Sequence, residues 1–329
     1  MLAYFRLIRW FNLLMMAFTM VLTRKFLLET FVQLKHLELS YPDLQFFLVI
    51  ASTALLSAGG YIVNDIFDRE ADRINKPERQ IVGMAFSTDT AWKLYWIHTI
   101  LGAGIGVYLA FHIQIKELAI VPLMIAGLLW FYTTSYKKLP LVGNVIISLF
   151  TGCVPLVVGL FEQIAERRMY KIAIIDIRFV AGYAVFAFLI SMIREIVKDL
   201  EDIDGDRDND CTTIPIAWGI NVAKAFGLLF STLLFAALTY LEYIQYTTKD
   251  FISLGYFLVA VSLPLLLLMF TIISAKSKKN YTMASNLSKV VMLTGICSMI
   301  VFWFTLRPYL NPVVAVPEVM PQVNISVGK

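Results

Sequence analysis

Asp65, Asp68 and Asp72 read D-x-x-D-x-x-x-D, and Asp199, Asp202 and Asp206 repeat that spacing. On a helix, steps of three and seven residues fall at about −60° and −20°, so each trio shares one face. Carboxylates this close repel one another unless a cation neutralises them. Oxygen-only ligands with room for water suit Mg²⁺, which binds one or two carboxylates together with substrate phosphate oxygens. Arg69, Arg73, Lys76 and Arg79 surround the first trio, and Arg194, Lys198 and Arg207 the second. Two opposed trios with cations beside them form a clamp for a diphosphate. The six aspartates are the expected metal ligands. Asp68 and Asp202, the central carboxylate of each trio, are expected to be catalytic, with Lys198 beside them. The plain alternative is two solvated acidic loops. It leaves the repeated spacing unexplained, and 12 of the 24 acidic residues lie in 64–72 and 194–210.

Other chemistries find no residues. Asp202-Ile203-Asp204-Gly205-Asp206 resembles a calcium loop, but its sixth position is Arg207 and its twelfth Thr213. There is no phosphate-binding G-x-x-x-x-G-K-[ST], no H-E-x-x-H and no G-x-S-x-G. Cys153, Cys211 and Cys297 form no C-x-x-C pair, which excludes a disulfide framework or a zinc site. His36, His98 and His112 lie away from the acidic motifs and read as packing or interfacial residues.

The elements that position the aspartates must cross a membrane. Hydrophobic residues make up 59% of the 329 and charged residues 16%, with a mean hydropathy of +0.72. Soluble domains average about 45–50% apolar and about 25% charged, so a soluble globule and a disordered chain are both excluded. Stretches free of Lys, Arg, Asp and Glu cover 44–63, 94–115, 118–136, 139–161, 251–275 and 290–306. Three shorter ones, 10–23, 179–193 and 225–241, reach the roughly 20 residues of a span once snorkelling flanks are counted. The expectation is nine transmembrane helices in one all-α domain, 1–329, with the first apolar segment a span rather than a cleaved leader. Small residues inside the spans, such as Gly102-Ala103-Gly104, allow close helix packing in lipid.

Motif one follows the second span and motif two the sixth, so both emerge on one membrane side. With the N-terminus inside, that side carries 17 of the 28 Lys and Arg residues and the other side 11. The bias places the active-site loops in the cytoplasm, although Arg167, Arg168, Lys171 and Arg178 run against it.

Asn64-Asp65-Ile66-Phe67-Asp68-Arg69-Glu70-Ala71-Asp72 resembles the N-D-x-x-D-x-x-x-D signature of the UbiA superfamily of intramembrane prenyltransferases. Asn75-Lys76-Pro77-Glu78-Arg79 continues the likeness, with Gln80 where the family has proline. Tyr132 to Asn144, with Lys137, Lys138, Pro140 and Gly143, is similar to the family's segment between helices four and five. Arg194 to Arg207, then Thr213-Ile214-Pro215 and Gly219, resembles its second motif. The resemblance implies nine helices around a central cavity open to lipid, and Mg²⁺-dependent transfer of a polyprenyl group from its diphosphate. Mg²⁺ and cationic side chains then stabilise the leaving diphosphate, and an apolar tunnel shields the allylic cation from water. On the matched positions, Asn64, Arg79, Lys137, Arg194, Lys198 and Arg207 are the expected diphosphate-binding residues.

The acceptor is expected to be a lipid-pathway alcohol such as geranylgeranylglyceryl phosphate. The stretch Asp204-Gly205-Asp206-Arg207 resembles the branches that include digeranylgeranylglyceryl phosphate and chlorophyll synthases. The D-R-x-D-D-x-x-x-G-V-K-S of 4-hydroxybenzoate enzymes and the M-x-R-T of the haem-modifying branch are absent. An aromatic acceptor of quinone or chlorophyll type is the alternative. A phosphorylated acceptor needs its own cation, for which Lys137 or Lys138 is the candidate, and a carboxylate to take the hydroxyl proton, for which Glu201 or Asp204 is. A transporter would carry its acids near the bilayer midplane rather than at helix ends. A CDP-alcohol phosphotransferase would show D-G-x-x-A-R, which is missing. The expected partners are a polyprenyl diphosphate, the acceptor and the membrane, with no nucleic acid.

Overall fold

The structure is a computed structural model that describes residues 2–34, 38–39, 42–70, 80–169, 176–207 and 211–310. Among these residues there is no β-strand, and nine helices have the length and apolarity of a span. They are α1 (Trp10–Gln33), α2 (Asp43–Phe67), α3 (Thr88–His112), α4 (Lys116–Tyr136), α5 (Val142–Glu166), α6 (Ile177–Glu201), α7 (Ile220–Thr247), α8 (Phe251–Ser274) and α9 (Lys278–Leu310). The chain is an integral membrane protein, and the expected nine spans are found among the described residues. Each span packs on its neighbour in the chain, and α9 returns to α1. Polar caps mark several starts. Ser87 Oγ accepts from Thr90 N at 3.2 Å ahead of α3, and Asp250 Oδ1 accepts from Ser253 N at 3.1 Å ahead of α8.

Helices gain little hydrophobic energy from one another in lipid, so close approach and hydrogen bonds hold them together. At Gly102 a Cβ would sit 2.9 Å from Leu56 N, and Ser52 Oγ donates to Gly102 O at 2.7 Å. That contact seals α2 against α3. Gly152 does the same for α5 and α6, where a Cβ would meet Ala184 O at 2.9 Å. Behind α6, Ile190, Ile193 and Val197 pack with Leu234, Leu265 and Val291 into the main apolar core. The helix that carries motif two is thus held on several sides.

Two local expectations change. Span one runs on through a π-helical stretch, Thr23–Leu28, and Arg24 does not snorkel. It is 4% exposed, donates to Asp43 Oδ1 at 2.6 Å and lies 4.6 Å over the Phe46 ring. Motif two does not sit on one continuous helix. α6 ends at Glu201, Asp202 takes φ −102° and ψ 9°, and a separate turn, Ile203–Arg207, follows. Aspartates compete for backbone hydrogen bonds and weaken helix interiors, and this segment alternates them with Gly205.

His98 packs, as expected. Its Nδ1 faces Leu94 O at 2.7 Å, and a carbonyl only accepts, so Nε2 is left to accept from Tyr4 OH at 2.7 Å. The short helix Leu2–Leu7 is pinned to α3 this way.

Candidate active site

Six segments deliver the site. α2 ends in Asp65 and Asp68, the latter being its C-cap. Asn64 Nδ2 donates to Asp68 Oδ2 at 2.7 Å, and Lys137, just beyond α4, donates to the same oxygen. Asn144, in the first turn of α5, donates through Nδ2 to Asp199 Oδ2 at 2.8 Å. On α6, Glu195 pairs with Arg194 through Oε1 and faces Lys198 Nζ at 3.9 Å through Oε2.

The two motifs meet. Tyr132, near the end of α4, lies in the fields of Glu195, Asp68, Arg9 and Asp199. Glu195 in turn feels Lys198, Arg194, Arg9 and Lys137. Acids from α2 and α6 therefore share one cluster with four cations from three segments, at one end of the bundle.

Arg9, Tyr132, Asn144 and Glu195 had no assigned role from spacing. Arg9 counted only towards the charge bias, yet its Nη2 donates to Asp65 Oδ1 at 3.1 Å and its guanidinium lies 4.8 Å over the Tyr61 ring. It is held there by a left-handed backbone, φ 50°, between Leu2–Leu7 and α1. Burial works against its charge, but Asp65 first, then Tyr61 and Asp68, outweigh burial and hold the guanidinium above its ordinary value. Nothing in the spacing of the chain links position 9 to position 65.

Other expected residues lie apart. Asp72 and Arg79 fall outside the described residues. Arg207 lines a surface groove with Ile203, Trp218 and Asn221. Glu201 turns to α9, accepting from Thr282 Oγ1 at 2.8 Å, and Asp204 is exposed. Lys138 contributes its carbonyl, which accepts from Thr212 Oγ1 at 2.6 Å. That bond ties the loop after motif two to the α4–α5 connection. Cys211 sits in the same loop, where burial, and after it Asp206, push its thiol up. Gln80 makes contacts that proline cannot. Its Nε2 donates to Arg69 O and Val82 O, both at 3.1 Å.

The acids offer oxygen ligands only, the donor set that suits Mg²⁺. Among the described residues no three acidic side chains already converge as a cage. Asp65, Asp68 and Asp199 are instead held by Arg9, Lys137 and Asn144.

The sequence pattern of the UbiA prenyltransferase family covers residues 37–290. The chain is 34% identical over 201 residues to digeranylgeranylglyceryl phosphate synthase of Thermococcus sibiricus, a stretch covering 61% of this chain and 64% of that protein. It is 31% identical over 264 residues to the Thermococcus kodakarensis synthase, covering 79% and 86%. A solved structure of digeranylgeranylglyceryl phosphate synthase in membranes matches with 25% identity and a TM-score of 0.63 over 92% of this chain and 98% of that one. A UbiA homologue from Archaeoglobus fulgidus, solved with GPP and Mg²⁺, shares 14% identity and the same fold, with a TM-score of 0.54 over 91% and 99%. The matched stretch takes in both aspartate motifs and most of the nine spans, and on that ground the chain belongs to the UbiA prenyltransferase family.

Proposed function

We propose that this prenyltransferase transfers a geranylgeranyl group from its diphosphate to the free hydroxyl of geranylgeranylglyceryl phosphate, with Mg²⁺. The observation that carries this reading is that the 137–144 segment bonds both aspartate motifs, Lys137 reaching Asp68 and Asn144 reaching Asp199, while Arg9 bonds Asp65. The names of the relatives support the acceptor and the chain length.

Asp65, Asp68, Asp199, Asp202 and Asp206 are the described residues suited to hold the metal, with Asp72 completing the first trio. Bound Mg²⁺ supplies charge neutralisation of the leaving diphosphate. The four cations bind diphosphate oxygens beside it and favour departure. Asn64 and Asn144 fix the orientation of Asp68 and Asp199. The apolar spans hold the isoprenoid tail and keep water from the allylic cation.

Lys137 belongs to this diphosphate side rather than to the acceptor, because it already bonds Asp68. Arg9→Ala and Lys137→Ala are each expected to raise the apparent KM for the prenyl diphosphate about tenfold, the loss of one charge-assisted contact. The KM for the acceptor stays within about twofold on the same grounds. Steady-state kinetics with each substrate varied in turn check this. A larger rise for the acceptor moves Lys137 to the acceptor phosphate.

The motif loops face the cytoplasm across the cell's inner membrane, in keeping with the 17 to 11 charge bias. Single cysteines at Asn75 and Asn209, both outside the described residues, in a background with Cys153, Cys211 and Cys297 replaced, are expected to resist membrane-impermeant thiol reagents in intact cells. Labelling of both reverses the orientation.

The acceptor is tested by mass spectrometry of products from purified protein given geranylgeranyl diphosphate and a panel of acceptors. Digeranylgeranylglyceryl phosphate is the expected product. Prenylated 4-hydroxybenzoate or naphthoate, with none of the glyceryl ether, overturns the lipid reading and leaves the family intact.

A further inference from the structure

α5 and α6 run antiparallel with a polar seam between them. Asn144 bonds Asp199, and two turns deeper Ser191 Oγ donates to Thr151 Oγ1 at 3.3 Å. These two rungs fix the register. Ser148, one turn from each of Asn144 and Thr151, falls opposite Glu195, one turn from each of Asp199 and Ser191. Ser148 is fully buried, and its Oγ bonds no described residue. An unsatisfied hydroxyl inside a span is costly, so a serine set by register opposite a glutamate on the next helix calls for a state in which it is used.

Glu195 supplies that state. Its two oxygens are occupied by Arg194 and Lys198, the cations expected to bind diphosphate. Neighbouring side chains on a helix do not ordinarily face each other, so Arg194 is drawn back onto Glu195 by charge. The same guanidinium and ammonium cannot serve both carboxylate and diphosphate at full strength.

We infer that Glu195 is a parking site for Arg194 and Lys198 in the substrate-free enzyme, and that Ser148 takes up the Glu195 carboxylate when the two cations move to the diphosphate. Glu195 touches no substrate; it is a positioning residue acting through the two cations. The exchange makes diphosphate binding reversible. After transfer, Glu195 competes for the cations and helps pyrophosphate leave, while Ser148 limits the cost of the partly buried carboxylate left behind. The inference rests on the diphosphate-site reading above.

The test is calorimetric titration of Mg²⁺–pyrophosphate into the full-length protein in lipid nanodiscs, beside melting temperature and turnover. Wild type is expected to bind. If it does not, the diphosphate-site reading itself fails, independently of the variants. Glu195→Gln is expected to bind pyrophosphate about tenfold more tightly, since one competing charge-assisted contact is gone. Its kcat and its KM for prenyl diphosphate fall together, because release becomes limiting. Merely structural damage weakens binding instead, so an unchanged or higher Kd overturns the parking role. Ser148→Ala is expected to bind pyrophosphate about tenfold more weakly by the same measure, with a melting temperature unchanged or higher. In the Glu195→Gln background, Ser148→Ala is expected to add nothing. An equal loss in both backgrounds overturns the exchange. If Glu195→Gln fails to fold, Ser148→Ala decides alone, and an unchanged Kd overturns the inference.

Discussion

Asp68→Ala and Asp202→Ala are each expected to lower kcat/KM by about three orders of magnitude, in line with loss of one preorganised electrostatic group, while the protein keeps its fold. Asp68 Oδ2 gathers Asn64 and Lys137, so its removal takes a proposed metal ligand and releases the cation proposed to bind diphosphate. Asp202 stands where α6 stops, between Asp199 and Asp206. Its loss divides motif two. Both lie at helix ends, and the Asp68 side chain is about a quarter exposed, so the pair contributes only about 0–1 kcal/mol to stability. Turnover and thermal melting of the purified variants check both halves. Near wild-type turnover in the two contradicts the clamp.

Chelation is expected to have an equally large effect. EDTA reduces transfer to background and Mg²⁺ restores it, while the helical signal in circular dichroism persists. The second half follows from the ion pairs. Arg9, Lys137 and Asn144 already hold Asp65, Asp68 and Asp199, so the carboxylates are not left repelling one another without metal. Mg²⁺ with pyrophosphate should raise the melting temperature, since a ligand at a hundred times its Kd adds about 2.7 kcal/mol. Unfolding on chelation makes the metal structural instead.

The spans were legible because lipid imposes a strict rule. About 20 apolar residues must run together to cross the bilayer, and the sequence breaks those runs with charges. The shared side of the two motifs followed from parity. Arg24 was misread because its partner Asp43 lies across a connection, and local sequence cannot distinguish a buried, paired arginine from a snorkelling one. The break at Asp202 was hidden because a spacing of three and four residues fits an unbroken helix as well. The aspartates of the site were legible as a repeated motif, whereas their partners were not. Lys137 reaches Asp68 and Asn144 reaches Asp199 only after α4 and α5 have packed. Gln80 shows the converse, since a departure from the family pattern gave a side chain that bonds both Arg69 O and Val82 O.

That both motifs grip a single diphosphate is the claim on which the rest depends. Titration of geranylgeranyl thiolodiphosphate, which does not turn over, into wild type, Asp68→Ala and Asp202→Ala with Mg²⁺ measures it directly. One molecule binding per wild-type chain, with affinity lost when either aspartate is removed, is the predicted result. Wild-type affinity in either variant, or two independent binding events per chain, contradicts it.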